Sequence, residues 1–306
     1  MLDTFLDRTI APGYGKLGLV LRRRLPGWPA DPPRMDGQVV MVTGAASGIG
    51  LAAAQGFASL GATVLAVARN EQRAKDAEKA LSGDVRGVAC DVSSVAALRE
   101  LAEGVERLDV LVNNAGVMPG ERSRSVDDVE LTFATHVLGP FVLIQALAPV
   151  LEANAPARVI NVTSGGMYTQ ALRPGDLMSE QDEYNPKTFY ARSKRAEVVV
   201  TEQLATRLAG TGIVVHSMHP GWADTAGIQH AMPVFRKVAG PILRSDAEGA
   251  DTIVWLGGAA EPLQSTGKLW MDRAMRPTHY RFGASPDGVE AREELWKLCE
   301  RLASAV

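Results

Sequence analysis

A tyrosine and a lysine four residues apart form the part of this sequence whose residue types and spacing most clearly favour chemistry. They are Tyr190 and Lys194, in the run Tyr-Ala-Arg-Ser-Lys. On a helix this spacing places both side chains on one face. A free phenol titrates near pH ~10 and exchanges protons poorly at neutrality, but a nearby ammonium favours the phenolate and lowers the pKa. The pair therefore predicts a tyrosine that exchanges a proton with a substrate.

A glycine-rich run upstream predicts a dinucleotide site. Residues 43–50 read Thr-Gly-Ala-Ala-Ser-Gly-Ile-Gly, after a predicted strand and at the start of a predicted helix. Glycines allow a tight turn and let a pyrophosphate approach the backbone N–H groups at the helix N-terminus. The predicted contacts in this run are Gly44, Ser47, Gly48, Ile49 and Gly50. With the tyrosine, the run indicates hydride transfer to or from a nicotinamide cofactor.

The residues after the second and third predicted strands bear on which nicotinamide cofactor is used. NAD sites commonly carry an acid after the second strand, for the ribose 2′-OH. This chain has Arg69 instead, and a guanidinium can hold a 2′-phosphate through two hydrogen bonds. We therefore predict NADP, with NAD less favoured; the alternative for Arg69 is a solvated arginine at a helix start. Asp91 and Val92 are placed to meet the adenine, which is compatible with a helix N-cap before Ser94.

Five motifs in order along the chain resemble those of the short-chain dehydrogenase/reductase family. They are Thr43–Gly50, Asn113–Gly116, Ser164, the Tyr190/Lys194 pair and Pro220–Thr225. The resemblance covers about residues 37–275. The long insertion between the serine and the tyrosine is most similar to the branch of retinol dehydrogenases and WW-domain oxidoreductases.

The resemblance implies a role for each motif. Tyr190 would be the general acid/base, and Lys194 would hold the nicotinamide ribose hydroxyls and lower the pKa of the tyrosine. Ser164 would donate a hydrogen bond to the reacting oxygen, although Thr163 beside it is an alternative hydroxyl. The remaining implied cofactor contacts are Asn114, Ala115 and Gly116 beside the adenosine, with Pro220, Gly221, Trp222 and Thr225 near the nicotinamide or phosphates.

One position departs from the family pattern. The family has an asparagine in the long fourth helix, three residues before a glycine, and His136 stands there before Gly139. In the family the main-chain carbonyl at this position holds a water on the proton path to the lysine, while the side chain steadies a helix distortion. A histidine keeps that carbonyl, and His136 is counted among the catalytic residues as a hydrogen-bonding or proton-relaying group. The alternatives are a satisfied core histidine and a protein that has lost turnover.

The order of predicted elements indicates the fold class. From Gln38, short apolar runs rich in β-branched residues alternate with helical stretches, and a long helix is expected over roughly Val126–Ala153. Strands apolar on both faces, joined by right-handed crossovers, give an α/β fold with a doubly wound parallel sheet. We predict a Rossmann sheet of about seven strands with helices on both faces.

The predicted domain organisation is an N-terminal arm followed by a single domain. Residues 1–36 are interrupted by five prolines, and residues 37–306 form the Rossmann domain. Within it, a substrate lid is expected at about 226–245 and a C-terminal helix at about 288–303. The lid carries apolar residues at 232, 234, 235, 238, 242 and 243, so it predicts a lipophilic alcohol, aldehyde or ketone as substrate. Met167 and Met178 are expected to line the same pocket.

Composition limits the remaining functions. With 32 basic and 35 acidic residues the net charge is −3, which argues against a general nucleic-acid binder. Cys90 and Cys299 lack metal-ligand spacing, and buried thiols in a reducing compartment are expected, with no metal site. No apolar run approaches the ~18 residues needed to cross a bilayer, and no signal sequence is evident. The prediction is therefore a cytoplasmic protein, with weak membrane contact by the basic-apolar stretch 16–24 as the alternative. The oligomeric state stays open, a homo-oligomer included.

Two other functions are weighed against the oxidoreductase. A cofactor-binding regulatory protein without turnover is suggested by His136. An epimerase, dehydratase or lyase of nucleotide-sugars is less favoured, because those enzymes generally carry a longer C-terminal substrate domain and about 80 residues follow the sixth predicted strand here.

Overall fold

The computed structural model describes residues 2–9, 13–224, 240–280 and 283–305, and a single sheet lies at the centre of this part of the chain. Its eight strands run in the order β3-β2-β1-β4-β5-β6-β7-β8. Every neighbouring pair is parallel except the last, in which β8 runs antiparallel to β7. The strands are β1 (Val39–Thr43), β2 (Thr63–Ala68), β3 (Val85–Ala89), β4 (Val110–Asn113), β5 (Ala157–Val162), β6 (Ile213–Met218), β7 (Leu269–Met271) and β8 (Ala274–Arg276).

Helices cover both faces of the sheet, as predicted. They are α1 (Leu2–Arg8), α2 (Lys16–Arg23), α3 (Gly48–Ser59), α4 (Glu71–Ala80), α5 (Val95–Glu103), α6 (Leu131–Ala153), α7 (Pro186–Arg207), α8 (Asp246–Gly258) and α9 (Val289–Ser304). One apolar core joins the sheet to α5, α6, α7 and α9, and a second joins it to α3 and α8. Because helices cover both faces, most residues of the strands other than edge strand β3 are buried, and this confirms the doubly wound class. Hairpin strand β8 is the addition to the predicted set.

Helix α6 begins later than the sequence suggested. The expected start was Val126, but that side chain is 80% exposed and the helix starts at Leu131. Glu130 caps it, since its carboxylate accepts the N–H of Phe133 at 2.7 Å. Among the described helices α6 is the one long and apolar enough to cross a membrane, but 72% of its apolar window is buried inside the protein. It is therefore a core helix.

The segment before β1 is held on the body of the protein by buried charges. Arg22 on α2 donates to the carboxylate of Asp272 at 2.7 Å, and Arg244 donates to both oxygens of the same carboxylate at 2.6 and 2.9 Å. All three side chains are almost completely buried. Leu19 on the same face of α2 is also fully buried. The face of the basic-apolar stretch that carries Leu19 and Arg22 is therefore packed inside the protein. Both cysteines are free and buried, as expected.

The same arginine closes the base of the predicted lid. Arg244 donates its backbone N–H to the carbonyl of Trp222 at 2.7 Å, and its carbonyl accepts the N–H of Asp224 at 3.0 Å. Backbone hydrogen bonds therefore join the last residues described before position 225 to Arg244, which lies shortly after position 239. Most of the predicted lid, together with Thr225, lies at 225–239, outside the described residues.

A buried histidine lies beneath the loop that follows β6. The ring of His219 packs against that of Tyr14 with centroids 4.8 Å apart, and its Nδ1 accepts the N–H of Gly221 at 3.3 Å. Burial, together with the nearby charge of Arg244, lowers the pKa of His219 to about 3. The imidazole is therefore neutral in the folded protein throughout the usual working range of pH.

This histidine should make the fold sensitive to acid. In the unfolded chain His219 takes up a proton near pH 6.5, whereas the folded protein resists protonation down to about pH 3, so stability is lost as the pH falls between these values. Glutamine cannot titrate. In His219→Gln, the loss of unfolding free energy between pH 7 and pH 5 should be smaller than in the native protein by ~2 kcal/mol. Denaturant titrations at the two pH values measure this, and equal losses in both proteins would contradict it.

Candidate active site

A cleft of about 380 Å³ opens at the carboxyl ends of the strands. It lies between β1 and β4, where the order of strands reverses, which is the usual ligand position in an open parallel sheet. Most of the predicted site residues line it: Gly44, Ser47, Gly48, Ile49, Gly50, Arg69, Asp91, Val92, Asn114, Ala115, Gly116, Ser164, Tyr190, Lys194, Pro220 and Gly221.

The glycine turn is packed directly against the loop that follows β4. Gly44 has a φ of +69°, and a Cβ there would lie 2.8 Å from the Cα of Ala115. A Cβ on Gly50 would lie 2.4 Å from the side-chain nitrogen of Asn114. Since real Cβ atoms do not make contacts this short, both positions require glycine. The backbone of the turn therefore lies directly against the loop after β4, and the N-terminus of α3 lines the cleft.

The turn fits the pyrophosphate of a dinucleotide. Ser47 precedes α3, and its side chain makes no capping hydrogen bond to the helix, so its hydroxyl is available to an anion. The first N–H groups of a helix have no partner within that helix and favour negative charge. Thr43 holds the facing loop in place, because its hydroxyl oxygen accepts the N–H groups of Asn114 and Ala115 at 3.0 and 3.1 Å.

Two arginines face the cleft after β2. Arg69, which was predicted, is exposed, and so is Arg73 in the first turn of α4; both line the cleft. Asn70 caps α4 by accepting the N–H of Arg73 at 3.0 Å, which fixes the start of the helix. Sequence reasoning missed Arg73, although its spacing of four residues from Arg69 was a usable signal.

Asp91 reaches the cleft from the end of β3. One of its carboxylate oxygens accepts the backbone N–H and the hydroxyl of Ser93, at 3.0 and 2.7 Å. Ser94 caps α5 by accepting the N–H of Ala97 at 3.4 Å, so the acid holds the turn before the cap. Val92 lines the cleft beside it. Asp91 thus has a structural role at this corner and also lines the cleft, where its contact with the adenine stays a prediction.

Tyr190 and Lys194 are presented to the cleft by α7. Asn185 caps this helix by accepting the N–H of Thr188 at 3.1 Å. The Nζ atom of Lys194 lies 6.0 Å from the centroid of the Tyr190 ring. It donates to the carbonyl of Val162 at 2.8 Å, at the end of β5. The ammonium is thus anchored beside the phenol, inside the protein.

Ser164 is the hydroxyl that remains available at the end of β5. The neighbouring Thr163 donates its hydroxyl to the carbonyl of Lys194 at 2.8 Å and is buried. Ser164 lines the cleft and accepts the N–H of Gly166 at 3.3 Å, which leaves its proton free to be donated. Of the two hydroxyls considered, the geometry favours Ser164.

His136 does not line the cleft but connects its walls. It lies in a π-helical turn of α6, Ala134–Leu138, which is the helix distortion expected there. Its Nε2 accepts the N–H of Val117 at 2.9 Å, and its Nδ1 lies 2.8 Å from the hydroxyl of Ser193. That hydroxyl donates to the carbonyl of Tyr190 at 2.8 Å. Since a backbone N–H can only donate, these bonds assign the proton to Nδ1.

Of the two roles predicted for His136, this arrangement favours hydrogen bonding over proton relay. Both ring nitrogens are already in hydrogen bonds, and burial lowers the pKa of the imidazole well below its usual value. The ring stands edge-on to Tyr190, with centroids 5.3 Å apart. We infer that His136 is a positioning residue, which holds Tyr190 through the ring contact and through the hydroxyl of Ser193.

Three other residues predicted to contact cofactor or substrate do not line the described cleft. Trp222 packs edge-on against Tyr14, with ring centroids 6.4 Å apart, and is not among the residues that line the cleft. Met167 is fully buried in a cluster with Tyr14, and Met178 packs against the core beside a separate surface groove. Neither methionine lines the cleft. Besides Arg73, sequence reasoning missed two residues of α7. Ser193 lies between Tyr190 and Lys194, and Glu197 lies three residues after the lysine.

Comparisons with known proteins agree with this geometry. Residues 38–233 match the family model of short chain dehydrogenase. The chain is 38% identical over 280 residues to human dehydrogenase/reductase SDR family member 12, covering 88% of this chain and 87% of that protein. It is 32% identical over 270 residues to human retinol dehydrogenase 14, covering 79% and 80%. A solved Pseudomonas aeruginosa RhlG/NADP active-site complex superposes with a TM-score of 0.65 at 30% identity, covering 77% and 94%. The chain belongs to the short-chain dehydrogenase/reductase family, near its retinol dehydrogenase branch.

Proposed function

We propose that this protein is an NADP-preferring oxidoreductase that transfers a hydride between the nicotinamide and a lipophilic alcohol or carbonyl compound. Family membership supports an oxidoreductase acting on CH–OH or C=O groups with a nicotinamide cofactor. The observation that carries the finer proposal is that Tyr190, Lys194 and Ser164 line the same cleft as the glycine turn. Proton donor, charge and dinucleotide site thus meet in one place.

The roles of the three side chains follow from their chemistry. When bound, the cofactor supplies or accepts the hydride. In reduction, Ser164 donates a hydrogen bond to the carbonyl oxygen, and Tyr190 gives that oxygen a proton as it becomes an alkoxide. The ammonium of Lys194 stabilises the phenolate that remains. In oxidation the phenolate takes the proton from the alcohol, so the same groups act in reverse.

The preference for NADP is supported by charge. Arg69 and Arg73 both line the cleft after β2, and no acid stands at the end of that strand, where Asn70 follows Arg69. Two guanidinium groups favour a 2′-phosphate over a 2′-hydroxyl. The solved RhlG relative was crystallised with NADP, which supports the same choice.

The substrate class rests on apolar residues of the cleft. Val117, Met118 and Leu131 line the same cleft as Tyr190, Lys194 and Ser164. Such walls suit a bulky apolar alcohol, aldehyde or ketone. The names of the retinol dehydrogenase relatives support this class. A cytoplasmic location stays a prediction.

Removing the phenol hydroxyl tests the general acid/base. Tyr190→Phe should lower kcat at least ~100-fold, because a positioned acid/base contributes about that factor or more. Cofactor affinity, read from protein fluorescence, should change little, since the ring is kept. Activity is measured as NADPH oxidation over a panel of hydrophobic ketones and aldehydes. Tyr184→Phe is the control, because that hydroxyl donates to Pro119 outside the cleft. Normal turnover in the Tyr190 variant would exclude the assignment.

Reversing a charge tests the cofactor preference. Arg69→Asp should weaken NADPH binding ~10-fold or more, because a charge-assisted hydrogen bond contributes ~1.5–3 kcal/mol, and should affect NADH much less. Fluorescence titration with both cofactors gives the ratio. Arg86→Asp is a matched control, an exposed arginine on β3 outside the cleft. The proposal is refuted when the Arg69 variant loses both cofactors equally.

A further inference from the structure

Glu197 is a buried acid next to Lys194 that has no part in the proposed reaction. The Nζ atom of Lys194 lies 3.0 Å from a carboxylate oxygen of Glu197, three residues further along α7. The two side chains are 3% and 2% exposed, so the pair is sealed inside the protein. A buried acid is retained only where something compensates its charge. Here the compensating charge is the ammonium that the proposed chemistry requires.

The surroundings leave Glu197 poised between its two protonation states. Burial raises the pKa of Glu197 to about 7, while the charge of Lys194 and a hydrogen bond with Thr163 oppose that rise. On α7 its direct partner is Lys194. The buried, neutral imidazole of His136 on α6 interacts with the same lysine; the last residue of β5 contributes the Val162 carbonyl, and Thr163 directly after it contributes a hydroxyl.

We propose that Glu197 is a positioning residue that tempers the field of Lys194 on Tyr190, so that the acidity of the tyrosine depends on the protonation of Glu197. This inference rests on the proposed function of Tyr190. The ammonium is 3.0 Å from the carboxylate and 6.0 Å from the centre of the phenol ring. A charge paired at that distance acts on a third group as a dipole, and its field falls off faster than that of a free charge.

Two states of the site follow. With Glu197 protonated, the full charge of the ammonium acts on Tyr190 and favours the phenolate. With Glu197 ionised, part of that charge is cancelled and the phenol holds its proton more tightly. The lysine keeps the Val162 carbonyl as an acceptor in both states. The pair therefore couples the acid/base step to pH in the neutral range.

Glu197→Gln tests the coupling, because glutamine has the same shape as the protonated acid and can still accept from the lysine. The pH profile of kcat/KM for alcohol oxidation is measured at saturating NADP. We expect the limb set by Tyr190 to move ~1 pH unit toward acid, as removal of a nearby negative charge requires. The inflection near neutrality should also vanish. An unmoved limb, or one that moves toward alkali, overturns the proposal.

Two more variants separate charge from shape. Glu197→Asp keeps the carboxylate and should keep the neutral inflection. Glu202→Gln is the control on the same helix: Glu202 is half-buried and pairs with Arg292 at 2.8 Å, away from the cleft, so its profile should match that of the native protein. If the Glu202 variant shifts the limb as far as the Glu197 variant does, the effect belongs to the helix and the proposal fails.

A spectroscopic measurement tests the titration without turnover. In protein carrying ¹³C-labelled glutamate carboxyls, one resonance should titrate near pH 7 and be missing in Glu197→Gln. If no glutamate titrates near neutrality, the proposal is overturned, even where the glutamine variant fails to fold. If this resonance is present but Tyr190→Phe keeps full activity, the function proposed for the tyrosine fails while the charge pair stands. The two failures are therefore distinguishable.

Discussion

A positive charge held inside the protein beside a phenol is the constraint on which the rest of the site depends. An ammonium taken out of water is costly unless fixed acceptors replace its hydration. Lys194 finds them in the carbonyl of Val162, at the end of β5, and in Glu197 on its own helix. The strand end and the helix must therefore keep their register to within a fraction of an ångström. The apolar core that packs α7 against the sheet, and a smaller cluster in which Val198 of α7 meets Leu269 and Met271 of β7, supply that rigidity.

Buried charge is compensated in the same way beside the loop that follows β6. Asp272 pairs with two arginines, one from the segment before β1 and one from the segment before α8, and Asp3 supplies a second carboxylate to the first of them. Removing one partner of such a group leaves an unpaired charge in the interior, which is strongly unfavourable. The N-terminal segment is also bonded to the loop after β6, because the backbone carbonyl of Tyr14 accepts the N–H of Trp222 at 2.8 Å. The first residues of the chain thus brace one wall of the cleft.

The sequence was sufficient for the features that depend on local chemistry. The glycine turn and the tyrosine–lysine spacing each require specific residue types at fixed separations, and the strands are apolar because both faces are covered. It was insufficient where tertiary contacts decide. The antiparallel strand β8 is three residues long, too short for a period to show. Trp222 was predicted to contact the cofactor; its ring packs edge-on against Tyr14 and does not line the described cleft, and no local pattern indicates this packing.

His136 shows the same limit at the level of one side chain. Its type suggested proton transfer, but its role is decided by two partners 19 and 57 residues away, which no local pattern reveals. Glu197 is similar, because an acid in a helix is usually solvated. Its burial beside Lys194 follows from how α7 lies on β5. Such residues are found by asking where each buried polar group obtains its hydrogen bonds.

The junction at Arg244 has an evolutionary consequence. Backbone hydrogen bonds join this residue to Trp222 and Asp224, so the ends of the intervening stretch are fastened together whatever lies between them. Among related chains, changes in the length of the stretch 225–239 can therefore leave this backbone pairing unaltered, together with Pro220 and Gly221 beside it, which line the cleft.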